Sequence, residues 1–349
     1  MTGVAGWLDE RTRLGPVLGA LLHVRVPMTA RTYYFGGIAL FLFGIQVVTG
    51  TLLTLYYKPT PEAAYESVQF ITSDVSFGWL IRSVHHWTAN LMILFVALHL
   101  VRIFYQAAYK FPREVTWVVG CMLLLVTLGF GFTGYLLPWD QRAYWATVVG
   151  TEIAAAVPFV GDALLQFLRG GTDVTGETMS RFFGIHVLVL PLLLGALMGG
   201  HLVLVHQLGL ANPKRPTPRT PTAEHESEPL RPFFPHYLLD EVVAWYFILA
   251  VLVVLASLFP AGLEEPADPL VTPAHTKPEW YYLGVYQFLK LVPRSVGIIG
   301  AIVAVALLIV WPFLDRNPEV LARRRLLAVG GATLAIAGLI ALTVWGYVS

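Results

Sequence analysis

Seven long runs along the chain contain no Asp, Glu, Lys or Arg: residues 32–57, 83–101, 115–139, 182–213, 242–263, 295–314 and 326–349. A helix needs ~20 apolar residues to cross ~30 Å of bilayer hydrocarbon, and each run reaches or nearly reaches that length. The pattern predicts an all-α integral membrane protein with seven transmembrane helices. Residues 212–235 (NPKRPTPRTPTAEHESEPLRPFFP) hold seven prolines among mixed charges, the composition of an extended linker. The chain therefore divides into an N-terminal half, 1–211, with four spans and a C-terminal half, 236–349, with three. Residues 150–169 are too short and too interrupted to span, and predict short amphipathic helices at the membrane surface. Residues 4–22, broken by Pro16, suit a segment lying flat in the interface. Asp9, Glu10, Arg11, Arg13, Arg25 and Arg31 precede the first span, so no cleavable signal peptide is expected.

Composition sharpens this picture. Hydrophobic residues make up 56% of the 349 and charged residues 13%, with a mean hydropathy of +0.66. Soluble domains carry about 25% charged residues, so a cytosolic enzyme and a disordered chain are excluded. The net charge of +1 gives no field for a polyanion, so no nucleic-acid partner is expected. The single cysteine, Cys121, excludes an intramolecular disulfide and any multi-cysteine zinc or iron–sulfur site. Of the 23 Lys and Arg, 15 fall on the side that holds the N-terminus and every second loop. The positive-inside rule places that side in the cytoplasm or its equivalent, the negative side of the membrane. The runs 83–101 and 182–213 then both travel from the positive to the negative side.

Ionisable residues inside a span are costly, so the histidines in these two runs need a reason. One run carries His85, His86 and His99, the other His186, His201 and His206. On an α-helix His85 and His99 lie about 40° apart in azimuth and ~21 Å apart along the axis, whereas His86 and His99 are about 140° apart. His186 and His201 lie about 60° and ~22 Å apart, and His206 faces away from His186 by about 160°. Because the two helices run parallel, His85 matches His186 in depth and His99 matches His201. Facing imidazoles at one level suit a six-coordinate haem iron, whereas zinc would want further ligands nearby. Hydrogen-bonded interhelical histidines, or a proton relay, are the plainer alternatives. Gly36 and Gly50 on the first span, and Gly120 and Gly134 on the third, share a spacing of 14 and would leave room for a flat macrocycle; ordinary small-residue packing is the competing account. Arg82 and Arg102, at the ends of 83–101, are placed to pair with haem propionates or to snorkel.

These histidines sit in RSVHHWTANLMILFVALHLVR (82–102) and SRFFGIH (180–186), and the chain also carries TGYLLPWDQ (133–141) and PEWYYL (278–283). Over nearly its whole length the sequence resembles the cytochrome b family of quinol–cytochrome c and plastoquinol–plastocyanin reductases. The resemblance implies a four-helix bundle for two non-covalent b-type haems, ligated by His85/His186 and His99/His201, followed by three helices. The spacing of 15 between His186 and His201, the RSVH stretch and seven spans without an eighth resemble the chloroplast type, whose two halves are separate chains. His206, where that type has Arg, resembles the respiratory form.

The resemblance further implies a proton-translocating quinol–cytochrome c reductase subunit, active only with partner subunits. Quinol is oxidised on the positive side, in a pocket lined by Tyr135 and Tyr286, with Glu279 of PEWY accepting a proton. One electron goes to a Rieske iron–sulfur protein and onward to a c-type cytochrome; the other crosses the membrane through the haems. Quinone is reduced on the negative side, near His206, Glu241 and Asp240. A homodimer in an energy-transducing membrane, the bacterial inner membrane, is expected. Chloroplast-type relatives attach a further haem through a cysteine two positions before a Gly-Gly pair. Here Tyr34 holds that position, and no covalent haem is expected. Two other functions fit the histidines alone: the di-haem anchor of a formate dehydrogenase or hydrogenase, which needs neither PEWY nor the last three spans, and a colourless proton-coupled transporter.

Overall fold

Each uncharged run folds as a helix long enough to span a bilayer, and several continue through the charges that bound them. The computed structural model describes Trp7, Arg11 and residues 25–27, 34–209, 230–274 and 276–349. The seven spans are α1 (Tyr34–Thr54), α3 (Gly78–Tyr105), α4 (Glu114–Tyr135), α7 (Gly176–Leu208), α8 (Phe233–Leu258), α10 (Arg294–Leu314) and α11 (Leu326–Val348). Between them lie the shorter helices α2 (Ala64–Ser73), α5 (Gln141–Ala155), α6 (Gly161–Arg169) and α9 (Trp280–Leu291). The interfacial segment expected at 4–22 lies outside the described residues except for Trp7 and Arg11, as does the linker from 212 to 229.

The boundaries moved for physical reasons. Arg82 does not end a helix: α3 begins at Gly78 and continues through it, because the long side chain carries its charge away from the axis to the Ala261 and Gly262 carbonyls. At the start of α7, Thr175 and Thr178 form a reciprocal cap six residues ahead of the uncharged run. Residues 230–232, expected in the extended linker, form β2, which pairs antiparallel with β1 (Arg25–Pro27). That three-residue ladder is the exception, among the described residues, to an otherwise all-α fold.

Packing is concentrated where the spans cross. Ile38 and Leu42 of α1, Met92 of α3, Leu194 of α7, and Ile248 and Leu252 of α8 form one buried cluster. The fifth span, α8, is thus packed into the bundle of the first four. A second cluster, Tyr109, Trp117 and Cys121 with Leu308, Ile309 and Trp311, fastens α10 to α4. Elsewhere the spans turn apolar side chains outward, as at Leu334, Ile340 and Val344 on α11. Such a surface is a liability in water and the required one in hydrocarbon.

Candidate functional site

The histidine pairs lie between α3 and α7, with α1 and α4 behind them. The His85 and His186 ring centroids are 6.5 Å apart with planes at 70°. Two ~2 Å metal–nitrogen bonds plus half of each ring require roughly 6 Å, so this pair has the spacing of two axial ligands to one iron. Thr49 Oγ1 is 2.9 Å from His85 Nδ1, and Thr133 Oγ1 is 3.1 Å from His186 Nδ1. Held by one ring nitrogen, each imidazole keeps its other nitrogen for a ligand. At the other level, His99 and His201 each have a buried Nδ1 without a hydrogen-bond partner, the Thr116 carbonyl lying alongside the latter. Buried polar atoms are normally satisfied. Unlike the other pair, these rings have no side-chain anchor on Nδ1, so their fit to a ligand-holding role rests on their facing placement on α3 and α7. His86 points elsewhere, with its ring edge-on to Trp87.

The glycines take a more specific part than room for a macrocycle. A Cβ added at Gly134 would lie 2.5 Å from His186 Cε1, at Gly50 3.2 Å from His85 Cε1, at Gly36 3.2 Å from His99 Cε1, and at Gly120 3.6 Å from His201 Cε1. Each glycine backs one histidine, and α1 and α4 form two walls that set ring position.

The uninterrupted-helix arithmetic for His186 and His201 requires correction. Ile185–Val189 is a π turn, closed by Leu190 N–H donating to the Ile185 carbonyl. A π turn takes up one residue more than the α pattern it interrupts. The spacing of 15 therefore behaves as 14 α-helical steps, about 40° and ~21 Å, the same as His85 to His99.

On the face bearing α5, α6 and α9, Glu279 is the N-cap of α9. The Tyr135 hydroxyl and Arg142 are the polar groups that act on its carboxyl, and Arg142 pairs with Glu264. Burial raises the Glu279 carboxyl above its ordinary value, against the opposing pull of Arg142 and Tyr135. The aromatic residues after Glu279 brace it: Trp280 Nε1 donates to Asn90 on α3 at 2.8 Å, Tyr282 donates to the Leu128 carbonyl on α4, and Tyr281 packs onto Gly131. Tyr286 is half-buried further along α9, with Lys290 Nζ 4.5 Å above its ring. Arg82 anchors the 259–262 segment, together with Ser83, which accepts from Ala261 N–H, and Trp87, which donates to the Phe259 carbonyl.

On the opposite face, Glu241 lies against α1 where a Cβ on Gly37 would meet its carboxylate at 2.6 Å, and Tyr237 is the polar group that acts on it. Gly37 follows the glycine that backs His99. Asp240 accepts from Tyr34 and from Arg231. Arg102 donates to Gln106 at 3.1 Å, and His206 is exposed at the end of α7. Thr49, Thr133, Arg142 and Tyr237 escaped the sequence reading. The Thr-Gly doublets at 49–50 and 133–134 were the signal for the first two.

A seven-span bundle with paired intramembrane histidines at two levels is built to carry electrons across a membrane. Residues 22–209 match the family model described as Cytochrome b/b6/petB, and residues 266–349 match Cytochrome b(C-terminal)/b6/petD. The cytochrome bc complex cytochrome b subunit of Chlorobaculum thiosulfatiphilum is 42% identical over 325 residues, covering 90% of this chain and 74% of that protein. Cytochrome b6 of Heliobacterium mobile is 47% identical over 210 residues, 59% of this chain and 99% of that one. The solved structure titled Hyperthermophilic respiratory Complex III superposes with a TM-score of 0.87 at 35% identity, covering 99% of this chain and 91% of its own. The chain belongs to the cytochrome b family. It is a multi-pass, haem b-containing component of a bc-type quinol–cytochrome c oxidoreductase, working with partner subunits in quinol oxidation and electron transfer.

Proposed function

We propose that the chain holds two non-covalent b haems, one between His85 and His186 and one between His99 and His201, with Gly36, Gly50, Gly120 and Gly134 fixing the rings. Haem at these positions supplies a one-electron relay between the two faces. Arg102 is placed for a propionate; Arg82 already donates to two carbonyls and serves first as a loop anchor. Quinol is oxidised on the α9 face, which is the positive side. Oxidation of a quinol releases two electrons and two protons. Glu279 accepts one proton and the other leaves to water on the positive side, with Tyr135 and Tyr286 lining the pocket. The iron–sulfur centre that takes the other electron belongs to a Rieske partner, since one cysteine cannot build it, and a c-type cytochrome follows. Quinone reduction falls to the opposite face, where Glu241, Asp240 and His206 supply protons. Tyr34, engaged by Asp240 and Arg231, provides no thiol for a covalent haem. The working unit is a homodimer in a bacterial inner membrane, with the N-terminus on the negative side and 212–235 joining halves 1–211 and 236–349.

The observation that carries this reading is the His85–His186 pair, with ring centroids 6.5 Å apart and each Nδ1 on a threonine. Glu279, braced onto α3 and α4 by the aromatic residues that follow it, is the carboxyl offered to the quinol's proton. The test is Glu279→Gln in the purified complex. Steady-state quinol oxidation should slow by about 100- to 10,000-fold while both haem spectra remain, the range expected when a general base is removed. Unchanged turnover at saturating quinol would remove Glu279 from the reaction.

A further inference from the structure

The four backing glycines repeat the same spacing on α1 and α4, but the residues before them differ between the two levels. Thr49 precedes Gly50 and Thr133 precedes Gly134, whereas Phe35 precedes Gly36 and Val119 precedes Gly120. Both threonines are buried and make the same set of bonds. Thr49 Oγ1 donates to the Ile45 carbonyl at 2.7 Å and Thr133 Oγ1 to the Gly129 carbonyl at 2.8 Å, each four residues back on its own helix. A hydroxyl has one proton to give. Having given it, Thr49 Oγ1, 2.9 Å from His85 Nδ1, and Thr133 Oγ1, 3.1 Å from His186 Nδ1, can only accept from the rings. The proton therefore sits on Nδ1 of both imidazoles, and Nε2 keeps its lone pair. Gln46 Nε2 donates to the His85 carbonyl at 2.9 Å and ties the backbone of that residue to α1 as well.

At the other level the side chains of Phe35 and Val119 offer no acceptor, and Nδ1 of His99 and of His201 has no hydrogen-bond partner. Backbone carbonyls do not make this contrast, since the Phe130 carbonyl lies alongside His186 as the Thr116 carbonyl lies alongside His201. The hydroxyls are the difference. We infer that Thr49 and Thr133 are positioning residues that set the redox behaviour of the His85/His186 level: by accepting from Nδ1–H they fix the tautomer and rotation of both rings and make each Nε2 a stronger donor to iron. The inference rests on the reading that one haem lies between His85 and His186 and another between His99 and His201.

An imidazole whose Nδ1–H is hydrogen-bonded is more basic at Nε2, and a more basic ligand favours the higher charge on the metal. Haem bound there supplies the one-electron couple. The two hydroxyls thus lower the affinity for an electron at the His85/His186 level and leave the other level unaffected, so the gradient runs from the α9 face toward the opposite one. The sign of the effect is fixed by the direction of donation: the ring gives its proton to the threonine, never the reverse, because the threonine proton is already engaged. A neutral hydrogen bond of this kind changes an equilibrium constant by about 2- to 10-fold, which for a one-electron couple is ~20–60 mV.

The experiment is an equilibrium redox titration of the purified complex carrying Thr49→Val, Thr133→Val, Thr49→Ser or Thr133→Ser, followed through the absorption bands of the haems. Valine keeps the branched shape and removes the acceptor; serine keeps the hydroxyl and loses a methyl. Each valine variant should raise the midpoint of one haem by the 2- to 10-fold equivalent, ~20–60 mV, and leave the other in place, while the serine variants titrate as wild type. The band that moves should be the one that survives in His99→Leu. A midpoint that stays put, an equal shift of both haems, or a shift that serine shares with valine would overturn the role of the hydroxyls. Where the valine variants do not retain haem, Val119→Thr decides: an acceptor added before Gly120 should lower the midpoint of the His99/His201 haem by the same factor, and an unmoved or raised midpoint would sink the inference. Haem content separates the two failures, since fewer than two haems per wild-type chain removes the two-haem reading, whereas two haems with unmoved midpoints removes only the part played by Thr49 and Thr133.

Discussion

Alanine substitution at the four backing glycines should affect haem binding in the order of their clearances. At Gly134 the new methyl lies 2.5 Å from His186 Cε1, 3.1 Å from Nδ1 and 3.2 Å from Nε2. To restore ordinary contact at 3.4 Å or more the ring must retreat by about 0.9 Å, whereas a functional constellation tolerates displacement of about 0.5 Å. The ring has little room to retreat: Phe130 stands edge-on at 5.3 Å, His85 lies opposite, and Thr133 holds Nδ1. Overpacking of this kind costs about 1–3 kcal/mol, a 5- to 150-fold loss in occupancy of the His85/His186 position at limiting haem. At Gly50 and Gly36 the required shift is about 0.2 Å, within that tolerance, and at Gly120 the clearance of 3.6 Å needs no movement. Haem per chain, measured by pyridine haemochrome and by reduced-minus-oxidised spectra, should fall toward one for Gly134→Ala and stay at two for Gly120→Ala. Gly50→Ala and Gly36→Ala should retain both haems with shifted bands. Full retention in Gly134→Ala together with loss in Gly120→Ala would refute the claim that these glycines position the rings.

Two further perturbations probe the frame around the site. Asp315, 7% exposed, joins Lys110, Tyr109 and the buried Arg325 across the junction of α3, α10 and α11. Asp315→Asn should cost about 3–5 kcal/mol in thermal unfolding at pH 7, because it strips a buried guanidinium of its counter-charge. Burial pushes the Asp315 carboxyl up, but the Tyr109 and Lys110 hydrogen bonds and the Lys110 charge outweigh it, so the carboxyl sits below its ordinary value. Its stabilisation is therefore complete above about pH 4 and is lost as pH falls through the lowered native value, where variant and wild type should converge; a constant difference down to pH 2 would contradict this. Deleting the outward-facing Leu188 from the π turn should restore regular helix and keep the His186–His201 register, leaving two haems per chain. Deleting Leu94 from α3, which has no extra residue to absorb, should rotate His99 by about 100° and remove the His99/His201 haem; equal outcomes for the two deletions would show that the π turn does not set the register.

Counting around a helix separated His85 from His86 because a span has few ways to depart from 3.6 residues per turn. The same arithmetic misjudged α7, where one extra residue was absorbed as a π turn that no residue type announces. The spans themselves were legible because hydrocarbon imposes length and composition on them. The bounds at Arg82 and before α7 were not, because a long charged side chain can leave the membrane while its backbone stays helical. Gly36, Gly50, Gly120 and Gly134 could be read as small residues, but small-residue spacing alone does not tell whether a ring, another helix or a cofactor fills the gap. Arg142 was invisible for a different reason: its partner, Glu264, lies 122 positions away in the sequence, and loop zippering rather than periodicity brings them together.

The end of α4 shows why one helix can link the two kinds of chemistry. Thr133, Gly134 and Tyr135 are consecutive, yet the first two act on His186, through a hydrogen bond and a close approach, while the third bears on the Glu279 carboxyl. Three neighbouring helical residues span about 200° of azimuth, so they can address α7 on one side and α9 on the other. On the proposed reading, the electron-accepting position and the proton-accepting carboxylate would both be set from a single rigid turn. The PEWY segment could not achieve this alone, because α9 is only 12 residues long and does not cross the membrane. It is fixed by bonds to α3 and α4 from Trp280 and Tyr282, and by the packing of Tyr281 on Gly131. In the proposed reaction a quinol seated against Glu279 meets a carboxylate whose position is referred to the same helices that hold the histidines, and that shared frame would let proton and electron leave one substrate in different directions.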